Sequence, residues 1–216
     1  MHILKQIIED VSQLKIKKTK DYRAIAKSYK KEISQLDIKD IYHLCESLLD
    51  IKKFAYTTIA YHIIFDCKNK FNEDTFDVFQ TWLFKYINDW WDCDDFMTHA
   101  FQYVLMRYPE NLYKIYSWVN HERSAVRRSA AVILIRPIQK GLLDEKIMFD
   151  ICDLLLNDPH YLVQKGYGWL LKESSKHYLN VLILYLEAHV SHMSRTAFRY
   201  ALEKLPVNEK NRLMAI

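Results

Sequence analysis

Glycine is nearly missing from this chain. There are 3 among 216 residues, against an average usage of about 7%, and Gly141, Gly166 and Gly168 all lie beyond residue 140. Residues 1–140 therefore hold no glycine-rich phosphate loop and no GxGxxG dinucleotide site. Tight hairpins that need positive φ are disfavoured as well. Proline is scarce, at 4. The four cysteines (Cys45, Cys67, Cys93, Cys152) form no CxxC pair, so no zinc or redox motif follows and reduced thiols are expected. HExxH and GxSxG do not occur, which removes the zincin and nucleophile-elbow chemistries. No apolar run approaches about 18 residues, so nothing is expected to span a membrane. With no secretory pattern at its start, the chain is expected in the cytoplasm.

What remains is helical. Apolar residues recur at a period of 3.6 nearly throughout, beginning with Ile3, Ile7, Ile8, Val11 and Leu14. The pattern predicts helices near 21–29, 38–50, 53–68, 73–87, 91–107, 110–119, 123–139, 144–157, 160–175, 178–189 and 193–204. Asp37, Asn72, Asp158-Pro159 and Ser194 mark starts, and Gly141 marks an end. Strict repeats are absent, so a bundle and a solenoid of degenerate HEAT-like pairs both fit. No linker or low-complexity stretch interrupts the chain, and one domain over 1–216 is expected.

Charge is mildly basic, at +4. Residues 15–31 carry eight Lys/Arg and one Asp, among them Lys17, Lys18, Lys20 and Arg23. Residues 122–140 add Arg123, Arg127, Arg128, Arg136 and Lys140, and Lys165, Lys172, Lys176, Arg195 and Arg199 follow. These are either solvated helix faces or the lining of a concave surface that tracks a phosphate backbone. Acid clusters once, as Asp89, Asp92, Asp94 and Asp95 around Trp90-Trp91. A helix N-terminus accounts for Asp89 and Asp92. Asp95 lies one turn further on, four residues after Trp91, so the two share a face. A carboxylate beside an indole suits a cation, and ordinary packing suits it too. His189 and His192 are three apart but lack a third ligand, so no metal is expected. Trp169 follows Gly166 and Gly168, whose cost in a helix is tolerated where a backbone must approach another helix or DNA.

Three segments, NDWWDCDD (88–95), ERSAVRRSAAVILI (122–135) and VQKGYGWLLKESSK (163–176), with MSRTAFRYALEKL (193–205) after them, resemble the AlkD-like HEAT-repeat DNA glycosylases of the DNA alkylation repair family. The resemblance implies an all-α, right-handed superhelical solenoid of HEAT-like pairs with a concave basic groove. It implies excision of cationic N3- and N7-alkylpurines without a cofactor, by a monomer bound to duplex DNA. In that family's terms Asp95 is the catalytic carboxylate and Trp91 and Trp169 cradle the deoxyribose. Arg128 meets the backbone at the lesion. The distribution of basic residues adds Arg127, Lys165, Lys17, Lys18, Lys20 and Arg23 as expected DNA contacts. The resemblance departs near the N-terminus. Active members carry an additional helix ahead of a G(V/I)xxPxxR turn, and IKKTKDYRAIAKSYKK (16–31) lacks that glycine and proline. Weak DNA binding and weak or absent excision are therefore expected, with an active glycosylase and a helical protein-binding scaffold as the alternatives.

Overall fold

The 3.6-residue period becomes helix over most of the described chain, which in this computed structural model is residues 2–15 and 18–216. Lys17 lies outside the described residues, and among those described there is no strand. The chain forms two compact units, Met1–Tyr86 and Ile87–Ile216.

The first unit holds α1 (His2–Gln13), α2 (Thr19–Ser28), α3 (Lys30–Ile33), α4 (Ile38–Leu49), α5 (Phe54–Asp66) and α6 (Thr75–Tyr86). Asp37 starts α4 as its spacing predicts, accepting the Asp40 N–H at 2.9 Å. Helix α5 is buried on nearly every face, and α2 and α4 both pack on it. Tyr42, Phe79 and Trp82 form an aromatic cluster, with Trp82 centroids 5.9 Å from Tyr42 and 5.2 Å from Phe79. The Trp82 indole N–H donates to Glu46 at 2.9 Å, which satisfies the one polar atom of a fully buried ring.

The second unit begins with α7 (Trp90–Phe96), which runs through a π-helical turn at Met97–Phe101 into α8 (Gln102–Arg107). The helix expected at 110–119 is reduced to α9 (Leu112–Ile115) between two 3-10 turns. The one expected at 123–139 divides into α10 (Ser124–Val132) and α11 (Ile135–Gln139). Pro137 explains the division, since its ring excludes a helical carbonyl four residues back, at Ile133. Gly141 follows α11 at φ +65°, a left-handed cap. Next come α12 (Glu145–Leu155), α13 (Tyr161–His189), α14 (Arg195–Ala201) and α15 (Val207–Met214). Helix α13 absorbs two expected helices and marks their junction by a kink at Tyr178. Ser194 caps α14 through the Ala197 N–H. Helix α13 packs along α10, α11 and α14 at once, and it carries the residues that matter below.

Candidate functional site

Helix α7 is held at its start by two of the four clustered aspartates. Asp89 accepts the Trp90 N–H at 2.6 Å. Asp92 accepts three backbone N–H groups, from Asn88, Asp89 and Cys93, at 2.8–3.0 Å. Burial pushes the Asp92 carboxyl up to about 6 against those donors. Both residues are therefore capping groups. Below them Cys93 contacts Ser129 of α10 at 3.1 Å, and burial pushes its thiol up to about 12.

The other two aspartates part company. Asp94 is gripped on both oxygens by Arg128, whose Nε and Nη2 donate at 2.9 Å each. The third guanidinium nitrogen donates to the Leu162 carbonyl at the start of α13. This two-point geometry aims a carboxylate as well as neutralising it. Arg128 is buried, with its side chain 6% exposed, and the Asp94 pair holds its pKa above the usual value although burial opposes it. Asp95 instead pairs with His99, one turn along, at 3.3 Å.

Asp94 and Arg128 open into a cleft of about 500 Å³ lined also by Trp90, Tyr161, Lys165, Trp169, Lys172 and Tyr200. Trp90 is half exposed on its rim. Trp169 is oriented by its indole N–H, which donates to Glu173 at 3.2 Å. Lys165 lies over the rings of Tyr161 and Tyr200, 5.3 and 5.8 Å from their centroids. Lys172 lies 5.4 Å from the Tyr200 centroid and pairs with Glu203. The cleft thus joins a fixed carboxylate, two indoles, two phenols and two amines. Such a set suits a cation on one side and a phosphate on the other.

The two glycines of α13 make this arrangement possible. A Cβ on Gly168 would lie 2.7 Å from the Ala197 carbonyl oxygen and 2.9 Å from Tyr200 Cβ. One on Gly166 would lie 3.1 Å from Arg128 Cγ. The close approach anticipated for this segment is therefore of helix α14 and of the Arg128 side chain.

Of the residues expected from sequence, Trp169, Arg128 and Lys165 meet in the cleft. Trp91 and Asp95 do not line it, whereas Trp90 and Asp94 do. The physical reason is rotation, since one residue along a helix turns the side chain by about 100°. Both pairs have the i, i+4 spacing, so spacing alone does not choose between them. Arg127 points elsewhere too. Its Nε meets Asp158 at 2.5 Å and its Nη1 meets the His121 and Glu122 carbonyls, so its donors are used inside the protein. Lys18, Lys20 and Arg23 belong to the first unit, the two lysines exposed and Arg23 half-buried. Sequence reasoning assigned no role to Tyr161, Tyr200 and Glu173, although Glu173 lies in the segment 163–176 and Tyr200 in the segment 193–205. Among the described residues no three His, Cys, Asp or Glu side chains gather to hold a metal ion. His189 lies 3.6 Å from Asp153 and stacks on Tyr185. No described helix is long and apolar enough to cross a membrane.

Comparison with known proteins follows the same lines. A family model described as DNA alkylation repair enzyme matches residues 16–205. A solved structure titled "Predicted DNA alkylation repair enzyme from Enterococcus faecalis" superposes with a TM-score of 0.77 at 17% identity, over 88% of this chain and 87% of that one. At that identity the likeness is one of fold. No curated protein matches.

Proposed function

Since the chain belongs to the DNA alkylation repair enzyme family, we propose that it binds duplex DNA at the cleft of its second unit and slowly hydrolyses the N-glycosidic bond of cationic N3- or N7-alkylpurine nucleotides there. The observation that carries the reading is the Asp94 carboxylate, fixed by two hydrogen bonds from Arg128 in a cleft that also presents Trp90 and Trp169. An alkylated purine of this class already bears a positive charge. It departs as a neutral base by keeping the electron pair of the broken C1′–N bond, so no protonating acid is needed. The charge then develops on the sugar. Asp94 and the indole faces stabilise it, and water completes the hydrolysis at C1′ with loss of a proton. Lys165 and Lys172 supply charge for the phosphates on either side. The protein acts in this reading as a monomer and without a cofactor. Its reduced thiols suit the cytoplasm. Slow turnover follows from the N-terminal departure from the family pattern, because a lesion held out of register loses rate steeply.

The test is a pair of measurements on one duplex carrying a single 7-methylguanine: affinity over a range of salt, and single-turnover release of the base. The reading expects affinity that falls steeply with salt and a slow but measurable release. Steep binding with no release reduces it to a DNA-binding member that has lost excision. Salt-insensitive capture of protein partners with no duplex affinity replaces it by a scaffold.

A further inference from the structure

A second basic cleft of about 500 Å³ lies beside the first and is lined by Arg136, Gln139, Lys140, Glu173, Lys176 and Lys204. Three elements converge on it: α11 with its C-terminal cap residue, the middle of α13, and the 3-10 turn after α14. It sets four cations around one carboxylate, and that carboxylate is already satisfied. Glu173 accepts Lys204 Nζ and Gln139 Nε2 at 2.5 Å each through one oxygen, and the Trp169 indole through the other. Burial would raise its carboxyl, but Lys204 and Gln139 hold it below the ordinary range. Arg136, Lys140 and Lys176 have no acidic partner among the described residues, and three unpaired cations in one concavity repel one another unless an anion enters. The cleft adjoins the Asp94 cleft through a single turn of α13, because Trp169 lines one and Glu173 the other.

Resting on the reading above, we propose that this cleft seats one backbone phosphate of the DNA strand held at Asp94, and so sets the register of that strand. Lys176 lies seven residues beyond Trp169, about 10 Å along the helix at 1.5 Å per residue. In this proposal the strand runs along α13, and at about 3.4 Å of duplex axis per phosphate of one strand the seated phosphate is about three nucleotides from the reacting one. Its volume accommodates a phosphodiester with its sugars, and the Arg136 fork with three amines around it suits an anion with two free oxygens. Glu173 joins this seat to the orientation of Trp169.

The experiment uses a duplex with one tetrahydrofuran abasic analogue, which fixes the register, and compares the wild type with Lys140→Ala/Lys176→Ala. A second pair, Lys146→Ala/Lys210→Ala, removes the same charge from exposed helix positions elsewhere in the unit. The expected result is a fall of about one in the slope of log affinity against log salt for the cleft pair alone. A single neutral methylphosphonate, scanned two to four nucleotides from the analogue, then weakens wild-type binding at one position and leaves the cleft pair unaffected there. Equal effects of the two pairs, or a methylphosphonate penalty that persists unchanged in the cleft pair, overturn the proposal while duplex binding stands. A wild type with no duplex affinity overturns the functional reading itself and the seat with it.

Discussion

Arg128 and Gly166 fit against each other across the α10–α13 contact: a Cβ on the glycine would stand 3.1 Å from Arg128 Cγ and 3.4 Å from its Nη1. The missing side chain on α13 is the space in which the guanidinium lies while it holds Asp94. Gly166→Ala therefore moves Arg128 by a few tenths of an ångström. We expect near wild-type thermal stability, since alanine regains helix propensity of about 1 kcal/mol, with a clear loss of base release. Unchanged release at unchanged stability would show that the arginine's position is not critical.

Gly168→Ala meets backbone instead, at 2.7 Å from the Ala197 carbonyl oxygen. Backbone cannot rotate away, so α13 and α14 must separate. The cost expected is that of overpacking, about 1–3 kcal/mol. Chemical denaturation of both glycine variants checks the order, with Gly168→Ala the less stable.

Arg127 and Arg128 are neighbours with opposite assignments. Arg127→Ala strands Asp158, whose side chain is 6% exposed. Removing one partner of a buried pair costs about 3–5 kcal/mol. The expected outcome is a large fall in unfolding free energy with no change in the salt slope of DNA binding. A reduced slope would return Arg127 to the DNA contacts.

Asp92 gives a dependence on pH. Burial raises its carboxyl in the folded protein from the ordinary 3.8 to about 6, so the native state holds a proton that the unfolded chain has released. The stability this group contributes is fully present below about pH 3.8 and is lost as pH rises to about 6. Two units at 1.36 kcal/mol each make this about 2–3 kcal/mol. Asp92→Asn removes the titration, so the wild type gains on the variant between pH 7 and pH 4. Parallel stability curves would place that pKa elsewhere.

Most of the helices were legible in the sequence because an apolar stripe at 3.6 residues has one physical meaning. Asp37 and Ser194 act as the caps their chemistry suggests. One miss has a local cause, Pro137 breaking an expected helix, whereas the junction expected between 175 and 178 is the kink at Tyr178 inside α13. The register of α7 was the harder problem. Trp90 with Asp94 and Trp91 with Asp95 satisfy the same spacing. The packing of α7 on α10 separates them, since Arg128 of α10 holds Asp94 while Asp95 pairs with His99. Tyr161, Tyr200 and Glu173 join the site only through the packing of α10, α13 and α14. No spacing along the chain encodes that.

The most direct test of the account is single-turnover release of 7-methylguanine from a defined duplex by wild type, Asp94→Asn and Asp95→Asn, each shown to be folded by its thermal transition. Release that disappears in Asp94→Asn and persists in Asp95→Asn is the result predicted. Release that survives in Asp94→Asn, or is lost only in Asp95→Asn, would contradict the assignment of the carboxylate held by Arg128.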